Sequence, residues 1–373
     1  MTLWSDQPQR RLVDHLTPVS ADLRDSLFRG PFTAQGHDDQ FDALMALREI
    51  ERGGPAPARG GVAGPARLIF WNVERLRHLD AIAHHLQALA PDVILLSEVD
   101  RGMARTGNTD RAALLSKRLA LGYLTAVEFI ELGLGDIHEQ RDNAGQSNLH
   151  GLHGAAIFSD VTLQSPALVR LERRGNWFGL DRHEPRVGGT IAMLASVQIM
   201  GTTVLMANVH LESHETPQSR AQDLQKLLRL IEDIAPGGPV VIGGDMNTST
   251  GSYQDRHADP LAWAARLAGD PLRLLRPQPY EPLFGALAAM GYDWQSCNLP
   301  DQPTTRYPAG SARRPAKIDW VFTRGLSVSD VAIVPTVMPD STPASDHEGL
   351  MLTVWPDGAS ADENGIGHGV KTP

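Results

Sequence analysis

The chain has 373 residues, 42% of them hydrophobic, and a formal net charge of −10 at pH 7. This composition is typical of a globular protein with enough apolar side chains for a sizeable core. Proteins that bind duplex nucleic acid through its phosphates usually carry a basic patch, so the acidic balance disfavours non-specific nucleic acid binding.

The sequence offers no sign of membrane insertion or secretion. No apolar run approaches the roughly 20 residues of a membrane-spanning helix, and the N-terminus lacks the apolar segment of a secretory signal. Cys297 is the only cysteine, so neither an intrachain disulfide nor a cysteine-rich metal cluster can form. These features predict a cytoplasmic location.

Composition changes along the chain predict three regions. Residues 1–67 form an extension, in which 38–51 have the spacing of one helix and 52–67 are a linker rich in Gly, Pro and Ala. A main domain follows at 68–355. Residues 356–373 lack periodicity and predict a disordered tail.

Short apolar runs alternate with helical patterns in the main domain. Helical spacing covers 76–89, about 110–121 and 218–234, and strands are predicted at 68–73, 92–99, 125–132, 153–159, 191–199, 203–211, 238–246, 317–325 and 350–355. Several strands follow one another without a helix between them. The pattern therefore predicts mixed sheets with helices outside rather than a purely parallel sheet.

Polar side chains recur at the ends of these predicted strands, where a rigid backbone can hold a catalytic arrangement in place. Any one of them alone is more often a turn residue or a hydrogen-bonded core residue, but their recurrence indicates a shared site. The candidates are Asn72, Glu98, His210, Asp245, Asn247, Asp319, Asp346 and His347.

The residue types fit the hydrolysis of a phosphate ester, which needs charge stabilisation at the phosphoryl oxygens and an activated water. Asn72, Glu98 and Asp346 offer the oxygen ligands that Mg²⁺ or Mn²⁺ prefers. Asp245 is suited to act as general base, with Asn247 as its positioning partner.

Two histidines complete the predicted site. His210 and His347 can donate hydrogen bonds to a phosphoryl group, and Asp319 can hold a histidine in one tautomer. We expect catalytic roles for Asp245, Asn247, His210, His347 and Asp319, and substrate contacts from His210, Asn247 and His347.

Seven segments carry a resemblance to a known family over about residues 68–355. In order they are WNVE (71–74), LLSEVD (95–100), GAAIFS (154–159), NVHLES (208–213), GGDMNT (243–248), KIDWVF (317–322) and SDHEGL (345–350). Each is weak alone, but together they resemble the endonuclease/exonuclease/phosphatase superfamily, also called the DNase I-like fold. The resemblance implies a four-layer α/β sandwich, with two mixed β-sheets face to face and helices outside.

The resemblance also implies roles that agree with those above. Asn72 and Glu98 would lie at the metal site, and His210 would contact the scissile phosphate. Asp245 would be the base, oriented by Asn247. Asp346 and His347 would complete the metal and phosphate site, and Asp319 would support His347. Glu74 matches a frequent acidic position and would act through a water. GAAIFSD departs from the more usual GNAILSR at Ala155 and Asp160, which predicts different substrate contacts if those positions hold substrate in relatives.

Other interpretations fit less well. His210 and His214 are four residues apart, but a zinc peptidase needs Glu directly after the first His, on a helix. GGDMNTSTG (243–251) has no lysine for a Walker-type loop, so its glycines more plausibly let the backbone turn towards the cleft. In the loop 171–190, Trp177 and Phe178 beside arginines suit stacking on a base, and a plain surface loop explains them equally well.

We therefore expect a divalent-metal-dependent phosphoesterase that hydrolyses a phosphodiester or phosphomonoester. The acidic charge favours a small or soluble substrate, although local basic runs such as Arg313 and Arg314 can guide a phosphate. The alternatives are an endonuclease or exonuclease that acts on DNA or RNA, and an inactive interaction module with the same fold. No protein partner is predicted.

Overall fold

The structure is a computed structural model that describes residues 7–172, 174–179, 184–307, 310–311, 313–335, 337–338 and 341–359. Its strands are β1 Arg11–Val13, β2 Glu49–Gly53, β3 Ala66–Asn72, β4 Val93–Arg101, β5 Gly122–Glu131, β6 Leu152–Ser159, β7 Gln164–Arg170, β8 Arg186–Gly188, β9 Ile191–Ile199, β10 Thr202–His210, β11 Val240–Asp245, β12 Asp319–Arg324, β13 Leu326–Val334 and β14 Gly349–Pro356. Its helices are α1 Ala21–Phe28, α2 Ala34–Ala43, α3 Leu79–Leu89, α4 Arg111–Leu119, α5 Ile137–Asp142, α6 Pro217–Ile234, α7 Tyr253–His257, α8 Pro260–Gly269 and α9 Leu283–Ala289. Short 3-10 helices cover Met45–Arg48, Glu74–Leu76 and Ala104–Thr106.

The strands form two mixed sheets. The larger is nine-stranded with the order β1-β2-β5-β6-β4-β3-β14-β13, and β8 pairs with β5 beside this path. The smaller is five-stranded with the order β12-β11-β10-β9-β7. Apolar side chains of both sheets, among them Phe70, Ile157, Met206 and Val241, share one buried core. The sheets therefore pack face to face.

Helices cover the outer face of each sheet. α3 and α4 pack on the larger sheet through Ile82, Leu86 and Leu115. α6 and α9 pack on the smaller sheet through residues such as Leu227 and Leu287. The predicted four-layer α/β sandwich is confirmed.

The sequence explains how α6 begins and which face it buries. The Thr216 hydroxyl accepts a hydrogen bond from the backbone N–H of Ser219, and Pro217 occupies the first turn, where its missing N–H costs nothing. Leu224, Leu227, Leu228 and Ile231 recur at helical spacing and are fully buried against the smaller sheet.

The predicted single helix at 38–51 is wrong. α2 ends at Ala43, a 3-10 turn follows, and residues from Glu49 onward form β2, which pairs antiparallel with β5. Pairing with a long sheet edge outweighs local helical spacing, because it satisfies the backbone and buries Ile50 in the core.

The N-terminal segment is integrated into the larger sheet. β1 pairs parallel with β2, and Phe41, Leu44 and Leu47 pack against residues of β5. The buried Arg170 guanidinium donates to the carbonyl oxygens of Leu47, Val127 and Glu128. The division of the chain at residue 68 stays a prediction, and most of the predicted tail, 360–373, lies outside the described residues.

Candidate active site

A cleft of about 690 Å³ opens where strands of the two sheets end. Six predicted residues line it: Glu98, His210, Asp245, Asn247, Asp346 and His347. The other two lie directly behind them, since Asn72 bonds to Glu98 and Asp319 bonds to His347. The structure thus brings together all eight side chains that the sequence singled out.

Strand register places the acidic centre of the cleft. In the smaller sheet His210 of β10 lies opposite Asp245 of β11, and Asp245 lies opposite Asp319 of β12. One oxygen of Asp245 is 3.7 Å from Nε2 of His210 and 3.7 Å from Nε2 of His347, and the other accepts the backbone N–H of Asn247 at 2.9 Å. Burial and then the Asp319 charge raise the pKa of Asp245 to about 6, against the opposing effect of the two histidines.

Each histidine has a carboxylate behind it. Nδ1 of His347 is 2.8 Å from an Asp319 oxygen, and Nδ1 of His210 is 3.1 Å from Glu128. Burial alone would lower both pKa values, but the carboxylates outweigh it, raising the pKa of His210 to about 10 and that of His347 well above its usual range. Both rings are therefore suited to donate from Nε2. Sequence reasoning missed Glu128, whose only signal was a charged residue inside an apolar strand.

The opposite side of the cleft is built on unusual backbone. Glu98 has a φ of 58°, within a register irregularity between β4 and β6. Such a φ is uncommon for a residue with a side chain, and it turns the carboxylate towards the cleft. Asn72 donates from Nδ2 to Glu98 at 3.0 Å and to Asp245 at 3.1 Å, so one amide links the two sides.

Sequence reasoning did not single out Arg75. It lies in a turn with φ values of 43°, 65° and 51° at Glu74, Arg75 and Leu76. Its Nη1 is 3.2 Å from Glu98, and its Nε is 2.8 Å from Glu139. Burial raises the pKa of Glu98, but the Arg75 charge and nearby histidines hold it well below its usual range.

The donor set fits a hard divalent cation. Asn72, Glu98 and Asp346 supply oxygen atoms, and Glu74 joins them by accepting the Asp346 backbone N–H at 3.1 Å. Burial and then the Asp346 charge raise the pKa of Glu74, which indicates an excess of negative charge that a cation would relieve.

Compact groups of ligand atoms occur elsewhere in the described residues. One is Asp245, Asp319 and His347, and the other is Asp136, Glu139 and Glu184. The first group includes a histidine nitrogen, whereas Mg²⁺ prefers oxygen ligands, and its Asp319 accepts from Thr304 at 2.6 Å. In the second, Glu139 is bound by arginines. We favour the oxygen set around Glu98.

The alternative interpretations find no support in this geometry. His210 lies in β10 rather than on a helix, and His214 stacks on Tyr253. Gly244 has a φ of 130°, and a Cβ there would lie 2.1 Å from the Val209 carbonyl oxygen. The lack of a Cβ at Gly244 therefore lets β11 pack closely against β10. That the glycines turn the backbone towards the cleft stays a prediction.

The two positions that depart from the usual segment lie away from the cleft. Ala155 is buried in the core between the sheets, and Asp160 pairs with Arg59 at 2.6 Å. Neither lines the cleft. Of the loop 171–190, Trp177 lines the cleft, Phe178 is buried beside Phe32, and residues 173 and 180–183 lie outside the described residues.

Comparison with known protein families identifies the family of this chain. A model of the Endonuclease/Exonuclease/phosphatase family matches residues 69–347. The chain belongs to this family. Its members are metal-dependent phosphodiesterases and nucleases, so the protein is a hydrolase that acts on phosphate ester bonds.

Solved structures share the fold at low sequence identity. An endonuclease/exonuclease/phosphatase from Beutenbergia cavernae is 18% identical, with a TM-score of 0.52 over 79% of this chain and 72% of that one. The human Nocturnin catalytic domain, solved with a bound sulfate anion, is 17% identical, with a TM-score of 0.51 over 82% and 97%. A comparison with curated proteins found no match. Among the described residues, no helix is both long and apolar enough to cross a membrane.

Proposed function

We propose that the cleft hydrolyses a phosphodiester or phosphomonoester through a water that Asp245 aligns and deprotonates. The observation that carries the proposal is the position of one Asp245 oxygen, 3.7 Å from each of two histidine Nε2 atoms. A pKa of about 6 leaves this carboxylate ionised at neutral pH and still basic enough to take a proton. Asn247 holds its other oxygen through the backbone N–H.

The two histidines would bind the phosphoryl oxygens. Raised pKa values keep His210 and His347 protonated, and Glu128 and Asp319 orient their rings so that Nε2 faces the cleft. Charge-assisted donors of this kind stabilise the charge that develops in the transition state. Asn247 completes the substrate contacts.

Asn72, Glu98 and Asp346 would hold Mg²⁺ or Mn²⁺. When bound, the ion supplies positive charge at the phosphoryl oxygens. The acidic residues of this side would then be compensated, which agrees with the raised pKa of Glu74.

The test compares hydrolysis of bis-(p-nitrophenyl) phosphate and p-nitrophenyl phosphate with Mg²⁺ or Mn²⁺. We expect Asp245→Ala to lower kcat at least roughly 10³-fold, as the loss of a general base and its charge does. Asp233→Ala, at an exposed aspartate of α6, is the matched control, and EDTA should abolish the rate. Equal rates for Asp245→Ala and the wild type would refute the mechanism.

A nuclease is the second candidate, and the family comparison favours it as much as a small phosphoesterase. Screening DNA, RNA and small esters with the same variants separates the two, and salt-sensitive DNA binding would favour the nuclease. An inactive module would bind ligands without turnover in either screen. The cytoplasmic location stays a prediction for cell fractionation to test.

A further inference from the structure

One wall of the cleft beyond His210 is a column of stacked rings. Tyr253 stacks on His214 at 4.2 Å and on His257 at 3.9 Å between ring centroids, with both pairs inclined by 18°. Trp177 meets His214 edge-on at 4.2 Å. All four residues line the cleft.

Because the rings stack, their edges rather than their faces are exposed to a ligand. The faces of Tyr253 and His214 are covered by neighbouring rings, so their edges face the open space, and ring edges carry partial positive charge. Within the described part of the chain, no protein group hydrogen-bonds the Tyr253 hydroxyl or Nε2 of His214 and His257. The Tyr253 hydroxyl can donate to an anionic ligand, and Nε2 of His257 can do so when the ring is an imidazolium, because Nδ1 already donates to the Tyr253 carbonyl oxygen.

Arg256 adds a full positive charge to the same wall. Its guanidinium donates to the carbonyl oxygens of Ser213 at 2.7 Å and Ser252 at 3.3 Å. No carboxylate of the described residues lies within 4.0 Å of it, whereas nearby Arg220 is paired with Glu281 at 2.6 Å. Burial and then the Arg220 charge lower the pKa of Arg256, so its charge lacks compensation.

Acidic groups near the column are already engaged. Glu212 accepts the backbone N–H of His214 at 3.0 Å and Nε1 of Trp177 at 3.0 Å. Asp255 accepts from the backbone and hydroxyl of Ser252, at 2.9 and 2.8 Å. Carbonyl oxygens can hold a guanidinium by themselves, as they do at Arg170, but Arg256 lines the open cleft, where an anion has access to its remaining N–H groups.

We propose that Arg256, Tyr253, His214 and His257 form a subsite for a second phosphate group of the substrate. This inference rests on the proposed function, which places the reacting phosphate at Asp245. His214 follows His210 by four residues, so their Cα atoms are at most roughly 14 Å apart. The two phosphates of one molecule, such as a nucleotide chain or a small bisphosphate, would occupy the two sites.

Matched ligands test the subsite by calorimetry with Mg²⁺. Thymidine 3′,5′-bisphosphate is compared with thymidine 5′-monophosphate, and propane-1,3-diyl bisphosphate with propyl phosphate. Asp245→Asn is the background, so that turnover does not consume the ligand. We expect the second phosphate to strengthen binding about tenfold, and Arg256→Gln to remove that gain. Tyr253→Phe should reduce it.

Arg266→Gln is the control, because Arg266 is half exposed on the adjacent helix and 3.9 Å from Asp255. It should retain the tenfold gain. A gain with both ligand pairs identifies any bisphosphate as the substrate class, and a gain with the thymidine pair alone identifies a nucleotide chain. Equal affinity for one and two phosphates, or an undiminished gain in Arg256→Gln, would overturn the proposal.

The hydrolysis assay of the wild type keeps the two proposals separate. If the protein binds two phosphates more tightly than one but hydrolyses no ester, the subsite is supported and the proposed mechanism is refuted. If it hydrolyses bis-(p-nitrophenyl) phosphate but binds one and two phosphates equally, the mechanism is supported and the subsite is refuted.

Discussion

The two sides of the cleft hold their polar side chains on different kinds of backbone. On the smaller sheet, His210, Asp245 and Asp319 lie opposite one another in the regular register of β10, β11 and β12. On the larger sheet, Glu98 lies in a register irregularity and Arg75 in a turn of left-handed residues. Regular pairing positions these three side chains, and left-handed backbone follows β11 at Asn247, with a φ of 49°. On the larger sheet Glu98 itself is left-handed, which costs free energy that the surrounding packing must offset.

The difference extends to charge. The smaller-sheet side is built around a histidine–carboxylate pair, while the larger-sheet side pairs a carboxylate with a fixed cation. We infer that the histidines of the first side are organised to donate hydrogen bonds, and that Arg75 on the second side limits how strongly a metal binds. Three measurements test this contrast.

The largest effect is expected for Asp319→Asn. Among the groups around His347, Asp319 contributes most to raising its pKa. Loss of the Asp319 charge should therefore lower the pKa of His347, and it should lower kcat roughly 10²-fold. The basic limb of the pH–rate profile should move to lower pH, because the imidazolium loses its proton earlier. Thermal melting monitors folding. An unchanged pH profile would show that His347 is not the donor.

A smaller effect is expected for Lys317→Met, beside the same sheet. Burial lowers the pKa of Lys317 to about 8, although it donates to the Leu299 carbonyl oxygen at 2.9 Å. The unfolded chain holds this proton up to about pH 10.4, so wild-type stability should rise between about pH 8 and 10.4. We expect the rise to be about 2 kcal/mol.

The difference between the wild type and Lys317→Met in urea unfolding at pH 8 and 10.4 isolates this contribution, since other titrating groups cancel. If the free energy of unfolding changes with pH to the same extent in both proteins, burial does not lower the pKa of Lys317. Such a result would indicate that water reaches the base of the smaller-sheet side.

The smallest effect is expected for Arg75→Met on the larger-sheet side. Removing a cation 3.2 Å from Glu98 should strengthen Mg²⁺ binding roughly tenfold, measured by calorimetry. Arg118→Met is the control, because Arg118 lies on α4, which covers the same sheet, and pairs with the exposed Asp80 at 2.6 Å. Weaker Mg²⁺ binding in Arg75→Met would mean that Arg75 holds the ligand in place rather than opposing the ion.

The regular parts of the molecule were readable from the sequence. Continuous apolar runs located the strands that carry Asn72, Asp245 and Asp319, because a strand buried on both faces needs apolar side chains at successive positions. Polar residues at the ends of those runs pointed to eight candidate residues, of which six line one cleft and two, Asn72 and Asp319, contact members of the six. Chemistry that depends on residue type and strand ends is thus encoded locally.

Tertiary structure decided the rest. The residues 49–53 became a strand because the edge of β5 was there to pair with, which no local pattern encodes. Glu128 and Arg75 joined the site through contacts between segments 82 and 23 residues apart in sequence. The column at Tyr253 and the position of Arg256, which no carboxylate of the described residues pairs, likewise arise from a short helix folding back over His214. The sequence alone indicated the candidate reacting centre, whereas packing decided what surrounds it, because long-range contacts leave no periodic trace.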